Sequence, residues 1–129
     1  MITDIEKVFR FRNFKIYKEF RIFTVKIKKL SKEKFPVDER FVLTSQLWRA
    51  LDSIILNIAE GSDRGTDKDF AHFLNLAKTS LNEVVACLDV AFDNLYINVI
   101  EHKDLLQEAA RLSQQLTAFR LWLKSNPTK

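Results

Sequence analysis

Gln46, Arg49, Ser53, Asn57 and Glu60 recur at spacings of 3, 4, 4 and 3 in the run QLWRALDSIILNIAE. On a helix those steps line up two amides, a guanidinium, a hydroxyl and a carboxylate as one polar stripe. Two chemistries fit such a stripe. Glu60 could act as a base or a metal ligand, or the polar groups could fix how neighbouring helices meet. A di-iron centre in a helical bundle needs two Glu-x-x-His motifs and two further inward carboxylates. The chain has two histidines, His72 and His102. The nearest approach is Asp69-x-x-His72, and Asp69 is already useful as a capping residue. His72 reads as solvent-facing and His102, beside Glu101, as a surface residue. No metal and no cofactor is expected.

The remaining reactive groups are equally sparse. Cys87 stands beside Val84 and Leu88 without a histidine at metal-ligand spacing, and reads as a small packing residue. Ser53 and Ser80 have no candidate base in sequence reach. GSDRG, residues 61–65, holds both glycines but has no lysine-serine pair and follows no strand, so it is a poor phosphate loop. Arg64 reads as an exposed turn residue, or as an anion contact at a helix start. The architectural reading prevails: no catalytic residue is assigned, and the chain is read as non-enzymatic.

Architecture then predicts partners. Folding the chain back at residues 63–64 brings residue 49 level with 78–80, within about one turn of Ser80 and Glu83. Arg49 is expected to pair with Glu83, Glu60 or both, with Ser80 and Asn57 completing the hydrogen bonds. Truncating a partly buried Arg49 would then cost on the order of 3 kcal/mol.

The elements that must hold these groups are long helices. Two glycines and two prolines in 129 residues leave little material for many short strands. Punctuation falls at Pro36, Gly61–Gly65 and Pro127. A first helix over about 13–33 carries Ile16, Phe20, Phe23, Ile27 and Leu30 at heptad-like spacing. Phe14, Tyr17, Ile22 and Val25 form a second apolar flank, while Phe9-Arg10-Phe11-Arg12 alternates like a short extended arm and is assigned no regular structure. A second helix over about 38–60 follows Pro36 and buries Leu47, Leu51, Ile54 and Ile58, with Gly61 as a left-handed C-cap. A third over about 67–97 starts at a capping-box-like Thr66-x-x-Asp69. A fourth over about 99–124 starts at Asn98-x-x-Glu101, a second capping box, and carries Leu105, Ala109, Leu112, Leu116, Phe119 and Leu123. Short connections make this a single-domain, all-α, up-down-up-down antiparallel four-helix bundle.

Charge and aromatic placement give the candidate surfaces. Residues 1–34 hold 11 Lys/Arg against 4 Asp/Glu, whereas the chain as a whole carries +4. The basic quarter points to phosphate or acidic partners, or to a solvated helix face. Arg10, Arg12, Lys15, Lys18, Lys26 and Lys29 are the candidate nucleic-acid contacts. Trp48 and Trp122 lie off the core stripes and are candidate interface residues. No apolar run is long enough for a membrane span, and the start of the chain lacks the apolar region of a secretory signal. A lone cysteine fits a reducing cytoplasm.

FPVDERFVLTSQLWRALDSIILNIAEGSDRG, followed by DFAHFLNLAKTSLNEVVACLDVA, resembles the four-helix bundle family of 23S rRNA intervening-sequence proteins. The matching residues include Phe35, Pro36, Glu39, Gln46, Arg49, Ser53, Asn57, Glu60, Gly61, Phe70, Phe73, Ala77, Ser80 and Glu83, and the resemblance extends over about 11–124. Trp48 departs from the pattern, standing where a polar or basic residue often precedes the motif arginine. The resemblance implies an up-down bundle assembled into a ring-like homo-oligomer, a pentamer, with no catalytic residues. Some members are encoded within insertions of large-subunit rRNA genes. A related group serves diversity-generating retroelements as accessory proteins, with a reverse transcriptase and RNA as partners. Two functions therefore stand. One is an oligomeric RNA- or DNA-binding protein using the basic first helix. The other is an interaction scaffold or accessory subunit of a nucleic-acid enzyme. A third, an enzyme, needs a convergent polar pocket that these residues do not assemble.

Overall fold

The computed structural model describes residues 3–125, and Pro127 lies outside them. All regular structure among these residues is helical. A short helix α1 (Asp4–Val8) and a 3-10 turn (Arg10–Asn13) precede α2 (Lys15–Lys34). A second 3-10 turn (Val37–Glu39) leads to α3 (Leu43–Ser62), followed by α4 (Asp67–Asp93) and α5 (Val99–Ser125). α2 packs on α3 and α5, and α4 packs on α3 and α5, closing a four-helix bundle.

The apolar stripes meet in one core. Phe20, Phe23, Ile27, Leu47, Leu51, Ile54, Ile58, Leu74, Leu88 and Leu112 are buried, and Cys87 is buried among them. Burying one such side chain contributes roughly 1.5–3 kcal/mol. The second flank of α2 divides: Tyr17 is buried, whereas Ile22 and Val25 face outward.

The helix ends depart from the sequence reading in ways that local chemistry explains. The segment assigned no regular structure contains a 3-10 turn over Arg10–Asn13, with Phe9 as its N-cap. Arg10 Nη2 donates to the Ser62 carbonyl at 2.7 Å, so this turn is tied to the C-terminus of α3. Pro36 enters the 3-10 turn, and α3 begins later, at Leu43 rather than near residue 38. There Glu39 Oε1 accepts the Leu43 N–H at 3.4 Å, while Oε2 accepts the Tyr96 hydroxyl at 2.7 Å. One carboxylate thus joins the start of α3 to the α4–α5 connection.

Gly61 is not a left-handed cap. It lies inside α3, and the chain has no glycine with positive φ among the described residues. The left-handed residue is Leu95 (φ 63°), just past the end of α4. Tyr96 N–H bonds to the Ala91 carbonyl and Leu95 N–H to the Phe92 carbonyl, the paired bonds of a Schellman motif. That motif stops α4 at Asp93 rather than near residue 97. Asn98 and Glu101 then cap α5 reciprocally, at 2.9 and 2.8 Å, as their spacing predicts. At α4, Thr66 Oγ1 accepts the Asp69 N–H at 3.1 Å.

Candidate functional site

The polar stripe of α3 is split between two environments. Ser53 and Ser80 bridge α3 and α4 through their hydroxyls at 2.9 Å. Asn57 Nδ2 donates to the Ser53 carbonyl at 2.8 Å and to Ser53 Oγ at 3.1 Å. These three half-buried residues form one satisfied network, which fits an architectural role. Gln46, Arg49, Glu60 and Glu83 are exposed instead. The expected pairing of Arg49 with Glu83 or Glu60 is not made: Glu60 pairs with Arg64, one turn on, at 3.7 Å. Among the described residues, Arg49 and Glu83 have no hydrogen bond or ion pair. The stripe turns outward because Leu47, Leu51, Ile54 and Ile58 take the inward arc of α3. Leu56, 65% exposed, lies on the same outward arc, and Leu76 and Val90 join it from α4.

Gly61 belongs to the closure of α3 on α4. A Cβ at this position would stand 2.5 Å from Phe73 Cβ and 3.0 Å from Phe70 Cδ1. Only a residue without a side chain admits that approach.

The six basic candidates meet different surroundings. Arg10 is occupied by the Ser62 carbonyl, with its guanidinium over Phe14 and Phe70 at 5.5 and 5.7 Å. Lys26 pairs with Glu108 at 3.4 Å. Lys29 and Lys26 line a groove between α2 and α5 shared with Glu33, Glu101 and Asp104, which offsets their charge. Arg12, Lys15 and Lys18 are exposed and make no ion pair among the described residues. Arg21, one step further along α2, is also exposed and stacks over Tyr17 at 5.7 Å. Arg12, Lys15, Lys18 and Arg21 thus place exposed cations around the amino end of α2, where Lys18 and Arg12 also act on the Glu6 carboxylate, while Lys32 stands over Trp48 near the other end.

The two tryptophans also differ. Trp48 is half-buried against α2: its Nε1 donates to Ser31 Oγ at 2.9 Å, and Lys28 and Lys32 lie over its ring at 5.1 and 5.4 Å. Trp122 is half-exposed near Phe119.

Several groups escaped the sequence reading. His102 is half-buried, stacked on Phe92 at 4.4 Å, and its Nε2 meets Asp89 Oδ1 at 2.8 Å. Its spacing from Asp89 and Phe92 across a helix break was the available signal. Tyr96 and Glu39 belong to loops 57 residues apart, which no local pattern connects. The hydrogen bond to Glu39 raises the Tyr96 phenol above the ordinary tyrosine range. Burial, assisted by the Glu83 charge, raises the Cys87 thiol, the opposite of an activated nucleophile. Among the described residues no three His, Cys, Asp or Glu side chains are grouped as a metal-ligand set. Among the described residues no helix is long and apolar enough to cross a membrane.

The family of 23S rRNA-intervening sequence proteins matches residues 12–118. In fold, the chain is similar to a crystal structure from Bacteroides thetaiotaomicron, that of a protein with unknown function from the S23 ribosomal protein family. The two share 24% identity and a TM-score of 0.74, over 81% of this chain and 97% of that one. No curated protein matches.

Proposed function

Because the chain belongs to the family of 23S rRNA-intervening sequence proteins, we propose that it is a non-enzymatic, cytoplasmic homo-oligomer that binds nucleic acid. The observation that carries the reading is the cluster Arg12, Lys15, Lys18 and Arg21, exposed at the amino end of α2 without ion pairs among the described residues. Exposed cations on one helix end release counterions when they meet phosphates, so they bind strands with little sequence preference. The contact set is narrower than the six basic residues singled out in the sequence, because Arg10 and Lys26 already have partners.

Assembly is assigned to the outward face of α3 and α4. Leu56, Leu76 and Val90 supply apolar area there, and Arg49 and Glu83 supply opposite charges without intrachain partners among the described residues. In a ring of identical subunits, five by family resemblance, Arg49 of one subunit meets Glu83 of the next. Repetition of a weak phosphate site around the ring then raises affinity through avidity. Light scattering gives the subunit number, and fluorescence anisotropy with labelled single-stranded RNA at two salt concentrations tests binding. A folded, assembled protein that leaves the RNA free at low salt ends the nucleic-acid reading.

A second reading, an accessory subunit of a nucleic-acid enzyme, is favoured by a different surface. Val37, Phe41 (84% exposed) and Leu95 (87%) are exposed on the α2–α3 and α4–α5 connections, which the Tyr96–Glu39 hydrogen bond joins at one end of the bundle, with Ile100 exposed in the first turn of α5. Co-purification of a partner that survives nuclease treatment and is lost on Phe41→Asp supports it.

A further inference from the structure

The first turns of α4 and the last turns of α5 form an open pocket of about 210 Å³ lined by Lys68, Ala71, His72, Asn75, Arg120 and Lys124. Its composition follows from two helical repeats. Lys68 and His72 are four residues apart on α4, and Arg120 and Lys124 are four apart on α5. Antiparallel packing of these helices brings the two pairs face to face. No carboxylate lines the cavity, in contrast to the α2–α5 groove, where Glu33, Glu101 and Asp104 surround Lys26 and Lys29. None of the four basic residues makes an ion pair among the described residues.

Arg120 is the informative member. Its Nη1 reaches Asn75 Oδ1 only at 3.3 Å, and its Nε is buried with no hydrogen-bond partner. A half-buried guanidinium with no counter-charge is costly, and an anion in the pocket supplies that charge. Arg presents a planar fork of donors matched to tetrahedral or planar oxyanions, and the two flanking ammonium groups add point charges. Lys68, Arg120 and Lys124 together exceed what one carboxylate neutralises. A phosphate, with close to two negative charges and three acceptor oxygens, matches the set.

We propose that this cavity is a phosphate-binding site, with Arg120 as the fork and Lys68, His72 and Lys124 as flanking donors. It lies on α4 and α5 and does not depend on the cations of α2. The phosphate is either a group of a nucleic-acid strand or that of a small phosphate ester.

The buried Arg120 Nε–H is shielded from solvent and serves as a nuclear magnetic resonance reporter in the isotope-labelled, assembled protein. Titration with sodium phosphate is expected to shift this resonance saturably, while sodium chloride at matched ionic strength does not. A Lys68→Gln/Lys124→Gln variant replaces exposed side chains and leaves the fold intact. It should weaken the apparent affinity about tenfold or more. Titration with a short single-stranded oligonucleotide separates the sources. Tighter binding than inorganic phosphate identifies a strand, and equal or weaker binding identifies a small ester; either outcome retains the site. A phosphate response that matches chloride, or that is unchanged in the double variant, overturns it.

Discussion

Gly61 on α3 lies so close to Phe73 on α4 that a Cβ at position 61 would stand 2.5 Å from the Phe73 Cβ. The glycine therefore sets the separation of these helices at their turn. Gly61→Ala gains helix propensity but forces the phenylalanine backbone away. The net expectation is destabilisation by about 1–3 kcal/mol, read as a lower urea midpoint at unchanged slope. Gly65→Ala is the control, because a Cβ there meets nothing within 4 Å.

Arg49 and Ser53 occupy the same stripe yet predict different losses. Ser53 joins Ser80 and Asn57 across the α3–α4 contact. Ser53→Ala should cost about 1 kcal/mol of fold stability. Arg49 is exposed and unpaired among the described residues, so Arg49→Ala should change fold stability by no more than about 0.5 kcal/mol. Its effect is expected in subunit association instead. Light scattering across a dilution series should show earlier dissociation for Arg49→Ala and for Glu83→Ala. Restored association in a charge-swapped Arg49→Glu/Glu83→Arg protein would identify the two as partners across the interface.

Leu95 holds a left-handed backbone at φ 63° with its side chain 87% exposed. A side chain at this position costs about 1–2 kcal/mol relative to glycine. Leu95→Gly should therefore stabilise the fold by about 1 kcal/mol, a gain visible as a higher thermal midpoint. If Leu95 also belongs to a partner surface, the same variant binds that partner less well while melting later.

These substitutions mark where the sequence was legible and where it was not. Heptad-like stripes such as Leu47, Leu51, Ile54 and Ile58 announce a buried helix face because periodicity alone decides which side faces in. Asn98 and Glu101 announce a helix start because both partners of the cap lie within one turn. Gly61 and Leu95 were not legible. Glycine after an apolar helix usually signals a left-handed cap, but here the approach of Phe73 decides, and that is a tertiary fact. The left-handed position fell to a leucine, which carries no local signal for it. The direction faced by Arg49 depended on how far the polar stripe rotates from the core, and spacing alone does not give that angle. Arg10 and the Arg120 cavity likewise depend on residues more than forty positions away.

The Tyr96–Glu39 hydrogen bond predicts a pH dependence with a definite sign. The bond holds the phenol in its protonated form, raising its folded pKa above the unfolded tyrosine value of about 10. The stabilisation is complete below that value and is lost as pH rises through the folded pKa. In a Tyr17→Phe protein, Tyr96 is the one remaining tyrosine. Its phenolate absorbance should emerge at higher pH when folded than in denaturant. Glu39→Gln should bring the folded transition back toward the denatured one.

Charge placement on α2 separates productive cations from occupied ones. Arg12, Lys15 and Lys18 are exposed without ion pairs among the described residues, while Lys26 is held by Glu108 at 3.4 Å. Each phosphate contact removed should weaken RNA binding and lower the slope of log affinity against log salt by about 1. Single Gln substitutions at Lys15 and Lys18 are expected to do so within each subunit. Lys26→Gln should leave the slope nearly unchanged, because its counter-charge is already in place. Slopes for the Lys15 and Lys18 variants that match the unsubstituted protein would mean that the amino end of α2 does not touch the strand, and that any binding arises elsewhere on the bundle.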